Sequence, residues 1–188
     1  LKKFIKYFKE SKQKYVRLKI TNETKEKIYK FAKKIIIEKE KEYIYRIDNG
    51  SELKRWITGI SGELAVEKFL DIKFFDWSIG NSNCYNLTDL NSIGLNIGVK
   101  TVEFGKFPIV HKSPTKPEII LVKDGDYLYL LGIASIEVMK KYSDDDLILS
   151  SQLKARNVKT GFYGFEYLQQ FRNIKDLKEI LLQYSFLL

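Results

Sequence analysis

The feature that most constrains this chain is a change of period near Ile72. Up to Leu70 the apolar residues recur at helical spacing, and from Ile72 onward they fall into short runs rich in Val, Ile, Leu and aromatics. The runs are Ile72 to Ile79, Tyr85 to Leu90, Leu95 to Phe104, Glu118 to Val122 and Tyr127 to Ile133, read as strands and separated by Asn, Ser, Gly and Asp. The stretch from Gly105 to Pro117 holds all three prolines and reads as a loop. Helical patterns return at Ile136 to Tyr142, Phe165 to Arg172 and Ile174 to Tyr184. Helices, then short strands, then helices predict an α/β domain with a mixed central β-sheet flanked by helices, and the hairpin spacings argue against an all-parallel sheet.

The first helical region runs from Thr21 to Ile47, with Ile28, Phe31, Ala32, Ile35 and Ile36 on one face and Lys and Glu elsewhere. Asp48-Asn49-Gly50-Ser51 is a turn signal. A short helical stretch, Leu53 to Ile57, is then punctuated by Thr58-Gly59-Ile60-Ser61-Gly62, and a second helix is expected from Ser61 as N-cap to about Leu70.

Charge is distributed unevenly. Residues 1–50 carry 16 Lys and Arg against 7 Asp and Glu, while residues 51–188 carry 17 of each, so the whole net charge of +9 lies in the first fifty. The chain therefore divides into a basic helical N-terminal extension, residues 1–50, and an α/β core, residues 51–188. A polyanion is the first partner class to consider. The lysines of the extension read either as a solvated helix face or as a nucleic-acid contact surface. A third reading, attachment to anionic lipid, is opposed by Glu38, Glu40 and Glu42, and no apolar run approaches membrane-spanning length.

One cysteine, Cys84, and one histidine, His111, exclude an internal disulfide and the usual Cys- or His-rich zinc sites. A reducing, cytoplasmic setting is the expectation. The chain opens on Leu1 with a Lys-rich segment that lacks the apolar core of a secretory signal, and a start upstream of Leu1 is expected.

Three residues stand out chemically. On a helical wheel Glu63 falls with Val66 and Leu70, which turns a carboxylate toward the core. It reads either as a first-turn carboxylate supporting the helix start or as a ligand. Alternation along Tyr85 to Leu90 puts Asp89 at the end of a half-buried face, and Lys100 interrupts the β-branched run Leu95 to Val102. With a hairpin between them, Asp89 and Lys100 are expected on adjacent antiparallel strands. Inward Glu, strand-end Asp and mid-strand Lys suit metal-assisted phosphodiester cleavage, in which carboxylates hold a divalent ion and an ammonium steadies water and developing charge.

Gly62-Glu63-Leu64-Ala65-Val66 opening a helix, Asp89 at a strand end and Val99-Lys100-Thr101 one hairpin later resemble the PD-(D/E)xK nuclease superfamily, over roughly residues 56 to 133. That resemblance implies a restriction-endonuclease-like fold and a Mg²⁺-dependent DNA endonuclease, restriction-type or junction-resolving, with Mn²⁺ as a substitute. It implies Asp89 as metal ligand, Glu63 as a further ligand or water-holder, the main-chain carbonyl of Val99 as an extra ligand and Lys100 as the catalytic lysine. A homodimer, able to cut both strands, is the implied assembly. One position departs from the pattern: the residue two before the lysine is Gly98 where the family has an acid. Glu103 is the nearest acid in the chain, but alternation sends it to the face opposite Lys100. Two functional readings follow, an active nuclease, with its second acid relocated or with Glu63 and Asp89 working alone, and an inactive nuclease-fold module that binds DNA or joins a complex.

Further candidates lie downstream. His111 and Lys112 sit in the proline-containing loop, where His111 reads as a surface residue or a catalytic one. Lys154, Arg156 and Lys159 lie in a Gly- and aromatic-rich stretch suited to phosphate and base contacts, or to packing by its own aromatics. Asp144-Asp145-Asp146 follows Ser143 and reads as a helical-turn cap.

Overall fold

A computed structural model describes residues 8–40, 52–79 and 88–185. The central sheet is mixed and four-stranded, in the order β1-β5-β4-β2, from β1 (Val16–Lys19), β2 (Gly98–Glu103), β4 (Glu118–Asp124) and β5 (Tyr127–Ala134). Strands β1 and β4 each pair antiparallel with β5, and β2 runs parallel to β4 with Gly98 opposite Glu118 and Lys100 opposite Ile120. A second, three-stranded sheet has the order β3-β7-β6, from β3 (Ile109–His111), β6 (Ser143–Asp144) and β7 (Lys159–Phe162).

Alternation along β4 and β5 builds a core on each face of the sheet. Ile119, Leu121, Leu128 and Leu130 point to one side, where α1 (Asn22–Glu40) and α2 (Glu52–Leu70) bring Ile28, Ala32, Ile60 and Val66 against them. Ile120, Val122, Tyr129 and Leu131 point to the other, where they meet Val110 of β3, Phe162 of β7 and Met139 of α3 (Ile136–Lys141). Helices α4 (Ser151–Ala155) and α5 (Ile174–Ser185) complete the chain, with Leu177 and Ile180 of α5 in the first core. Two elements from the basic first fifty residues thus belong to the body of the fold: β1 is a sheet strand, and α1 buries Ile28 and Ala32 completely.

Several expectations change. The punctuation at Thr58 to Gly62 does not split the helix. Glu52 to Leu70 is continuous, and Ser61, placed mid-helix, donates its hydroxyl to the Ile57 carbonyl at 2.6 Å instead of capping. Gly62 is there because the helix lies on β2: a Cβ at that position would come 1.6 Å from Thr101 Oγ1. Within Ile72 to Ile79 there is no strand. The carboxylate of Glu67, 4% exposed, accepts the Phe74 and Phe75 amides at 2.6 and 2.7 Å, taking donors a ladder would need.

Of Tyr85 to Leu90, residues 85–87 lie outside the described set, as do 41–47 of the first expected helix, and Thr88 to Leu90 form a turn into the 3₁₀ segment Asn91–Ile93. Asp89 therefore reaches β2, at the Val99 amide, from a turn and not from an antiparallel neighbour, since the only strand paired with β2 among the described residues is the parallel β4. The proline-rich loop contains β3, and the Gly- and aromatic-rich stretch contains β7. The expected helix from Phe165 to Arg172 is only a 3₁₀ turn, Phe165–Tyr167, after which Gln169 bridges to Ile133.

Candidate active site

The site gathers around the edge of β2. Backbone groups alternate along this strand: the Gly98 and Phe104 amides donate toward the β4 side, to the carbonyls of Pro117 and Lys123, while the Val99 amide points the other way and donates to Asp89 Oδ2 at 2.5 Å. A residue's amide and carbonyl share a side in a strand, so the Val99 carbonyl faces the same edge of β2 as Asp89. Lys100 projects from the face shared with Gly98 and Val102, and α2 brings Glu63 up from the other side through the close Gly62–Thr101 contact.

Electrostatics ties these groups together. Burial, and then the charge of Asp89, push the Glu63 carboxyl up to about 8, with Lys100 pulling the other way. Glu63 thus holds its proton at neutral pH. The three residues singled out in the sequence, Glu63, Asp89 and Lys100, lie within electrostatic reach of one another although 37 residues separate the first from the last.

A fourth group, not singled out from sequence, completes the set. Glu118 opens β4 directly opposite Gly98 and is 7% exposed. Its carboxylate fills the volume where a residue-98 side chain would begin: a Cβ on Gly98 would lie 2.1 Å from Oε2 and 2.7 Å from Cδ. Burial raises its carboxyl above the ordinary range, against Lys100 and Lys116, and its Oε2 has no hydrogen-bond partner among the described residues. The signal available in the sequence was a charged residue heading the fully apolar run Ile119-Ile120-Leu121-Val122. Its register against Gly98 was not legible there.

Glu103 is committed elsewhere. It accepts from Thr58 Oγ1 at 2.7 Å and Lys123 Nζ at 3.3 Å, on the face alternation predicts. Lys112 is held by Asp145 and Asn157, and Lys154 by Asp146 at 2.7 Å, while Arg156 lies exposed after α4. Lys159 is the member of that group drawn into the site, where its charge acts on both Glu118 and His111. Asp144 caps the turn that follows it, accepting the Asp146 amide at 2.9 Å.

Glu63, Asp89, Glu118 and the Val99 carbonyl all offer oxygen, the donor preferred by Mg²⁺ or Mn²⁺, and the Glu118 oxygen without a partner among the described residues fits such a role. As they stand, no three Asp, Glu, His or Cys side chains among the described residues converge closely enough to enclose an ion. Along β2, with Lys100 in its wall, runs a groove of about 400 Å³ whose lining includes Lys54, Arg55, Glu103, Lys106 and Phe107. Among the described residues no helix is long and apolar enough to cross a membrane.

Comparison with family models, with curated proteins and with solved structures returns no match, so what can be said of function rests on this geometry.

Proposed function

We propose that the chain is a Mg²⁺-dependent endonuclease of the restriction-endonuclease-like kind, hydrolysing DNA phosphodiester bonds in the cytoplasm, with Mn²⁺ able to substitute. The observation that carries this reading is the carboxylate of Glu118 filling the place vacated at Gly98, which supplies from β4 the acid the PD-(D/E)xK pattern has two residues before its lysine. A divalent ion held by Asp89, Glu118, the Val99 carbonyl and Glu63 would neutralise the phosphate and acidify a water. Lys100 orients that water and offsets charge developing on the phosphate oxygens. Glu63, which burial and Asp89 keep protonated at neutral pH, would give up that proton on joining the ion as a carboxylate. The groove lined by Lys54, Arg55 and Lys106 gives the phosphate backbone a cationic path to Lys100. A homodimer would place two such sites on opposite strands.

A second reading, a catalytically inactive DNA-binding or complex-forming module on the same scaffold, is favoured by two observations. One oxygen of Asp89 is already spent on the Val99 amide, and no three-ligand group is closed among the described residues.

Incubation with supercoiled plasmid and with a four-way junction, each with Mg²⁺, Mn²⁺ or EDTA, separates the two. Metal-dependent nicking, linearisation or junction resolution that disappears in Lys100→Ala and Glu118→Gln is the expected result. Retarded migration without any cleavage under all metal conditions would establish the binding module instead.

A further inference from the structure

His111 and Lys159 face one another across the antiparallel pair β3–β7, and Lys159 Nζ contacts His111 Nε2. With Lys159 as an ammonium, which has donors only, the contacted nitrogen offers its lone pair, and the imidazole is neutral with its proton on Nδ1. Burial, then Lys159, Lys100 and Lys116, hold His111 below its ordinary value. Burial, then Lys100, bring Lys159 down to about 8. Two bases in contact cannot both carry protons comfortably unless an anion joins them.

The surrounding lysines are unlike their neighbours. Close by, Lys112, the residue after β3, and Lys154, in α4, are each matched by an aspartate. Lys100, Lys116 and Lys159 form no ion pair among the described residues, although all three are half-buried and converge on one place. The acid they share, Glu118, is itself pushed toward its neutral form by burial.

We propose that Lys116, Lys159 and His111 form a phosphate-binding subsite beside the carboxylate cluster, taking one phosphate group of a nucleic acid, either an internal diester or a terminal monoester. The identity of the carrier rests on the nuclease reading; the affinity for phosphate does not. With a phosphate seated, His111 gains an acceptor for a second proton, and Lys159 is relieved of its uncompensated positive neighbours.

The sole histidine of the chain makes the test direct. The His111 ring is titrated by NMR in EDTA, alone and with inorganic phosphate, with 5′-phosphorylated tetrathymidylate, and with the same oligonucleotide lacking that phosphate. Saturation is expected to raise the His111 pKa by roughly one unit, and Lys159→Gln to weaken phosphate binding about tenfold. A response to the phosphorylated oligonucleotide but not to its twin supports the terminal monoester, and a response to both supports the diester. Should Lys159→Gln fail to fold, Lys116→Ala, which lies outside any strand, is expected to weaken binding about threefold.

An unchanged His111 titration with all three probes overturns the subsite, as does unaltered phosphate affinity in the folded variants. Cleavage with Mg²⁺ is measured on the same preparation. A phosphate response without cleavage leaves the subsite standing and removes the nuclease, and cleavage without a response does the reverse.

Discussion

Glu118 occupies the side-chain volume of Gly98: from the neighbouring parallel strand its Oε2 reaches to 2.1 Å of where a residue-98 Cβ would stand. One carboxylate fits there and two do not. Returning the acid by Gly98→Asp is therefore expected to destabilise the protein by about 1–3 kcal/mol through overpacking and like-charge repulsion, and not to increase cleavage. The double variant Gly98→Asp/Glu118→Ala is expected to recover most of the stability and activity lost in each single variant. Urea unfolding and plasmid cleavage, arranged as a double-mutant cycle, test this, and additive effects would show that the two positions do not share one volume.

Lys100→Ala should lower metal-dependent cleavage by roughly a hundredfold or more. DNA affinity should stay within about threefold, because one partly exposed charge contributes little to total binding. Cleavage at the wild-type rate would remove the catalytic role from Lys100.

Glu63 makes stability depend on pH. Its folded carboxyl titrates near 8 against an ordinary 4.5, so between those values the folded protein holds a proton that the unfolded chain has released. Stability contributed by this group is greatest below 4.5 and declines as pH rises toward 8. Glu63→Gln mimics the protonated form and should flatten that decline. Denaturant midpoints collected across the interval for both proteins give the answer, and parallel slopes would count against a proton stored at Glu63.

The two helical glycines of α2 should respond oppositely. At Gly62 an added Cβ meets Thr101 Oγ1 at 1.6 Å, whereas at Gly59 nothing lies within 4 Å. Gly59→Ala is expected to stabilise by about 0.5–1 kcal/mol through helix propensity. Gly62→Ala is expected to destabilise by about 1–3 kcal/mol as α2 is pushed off β2. It should also cost about tenfold in cleavage, because Glu63 moves with the helix. Thermal melts of both variants check the pair.

Glu67, one helical turn from Glu63 on the same helix, is held by backbone amides. Its carboxylate accepts the buried Phe74 amide and that of Phe75. Glu67→Ala leaves both donors without an acceptor and should cost roughly 2–4 kcal/mol. Loss of amide protection at Phe74 and Phe75 in hydrogen exchange would locate the damage.

What the sequence determined by itself is local in origin. Periodicity marks α1 and the strands β4 and β5, the wheel places Glu63 inward with Val66, and alternation sends Lys100 and Glu103 to opposite faces. Each of these follows from dihedral preference and from burial within one element. The mixed character of the sheet was readable from spacing for the same reason.

Tertiary structure decided the rest, because it depends on contacts between residues far apart in the chain. Nothing near Gly98 announces that Glu118, 20 residues on, will pair with it in parallel register. Nothing near His111 announces Lys159 across β3 and β7, nor does Gly62 reveal that it serves a helix lying on Thr101 and not a helix break. Backbone propensity chooses an element, but which acid fills a missing acid's place is settled only when two strands choose their register.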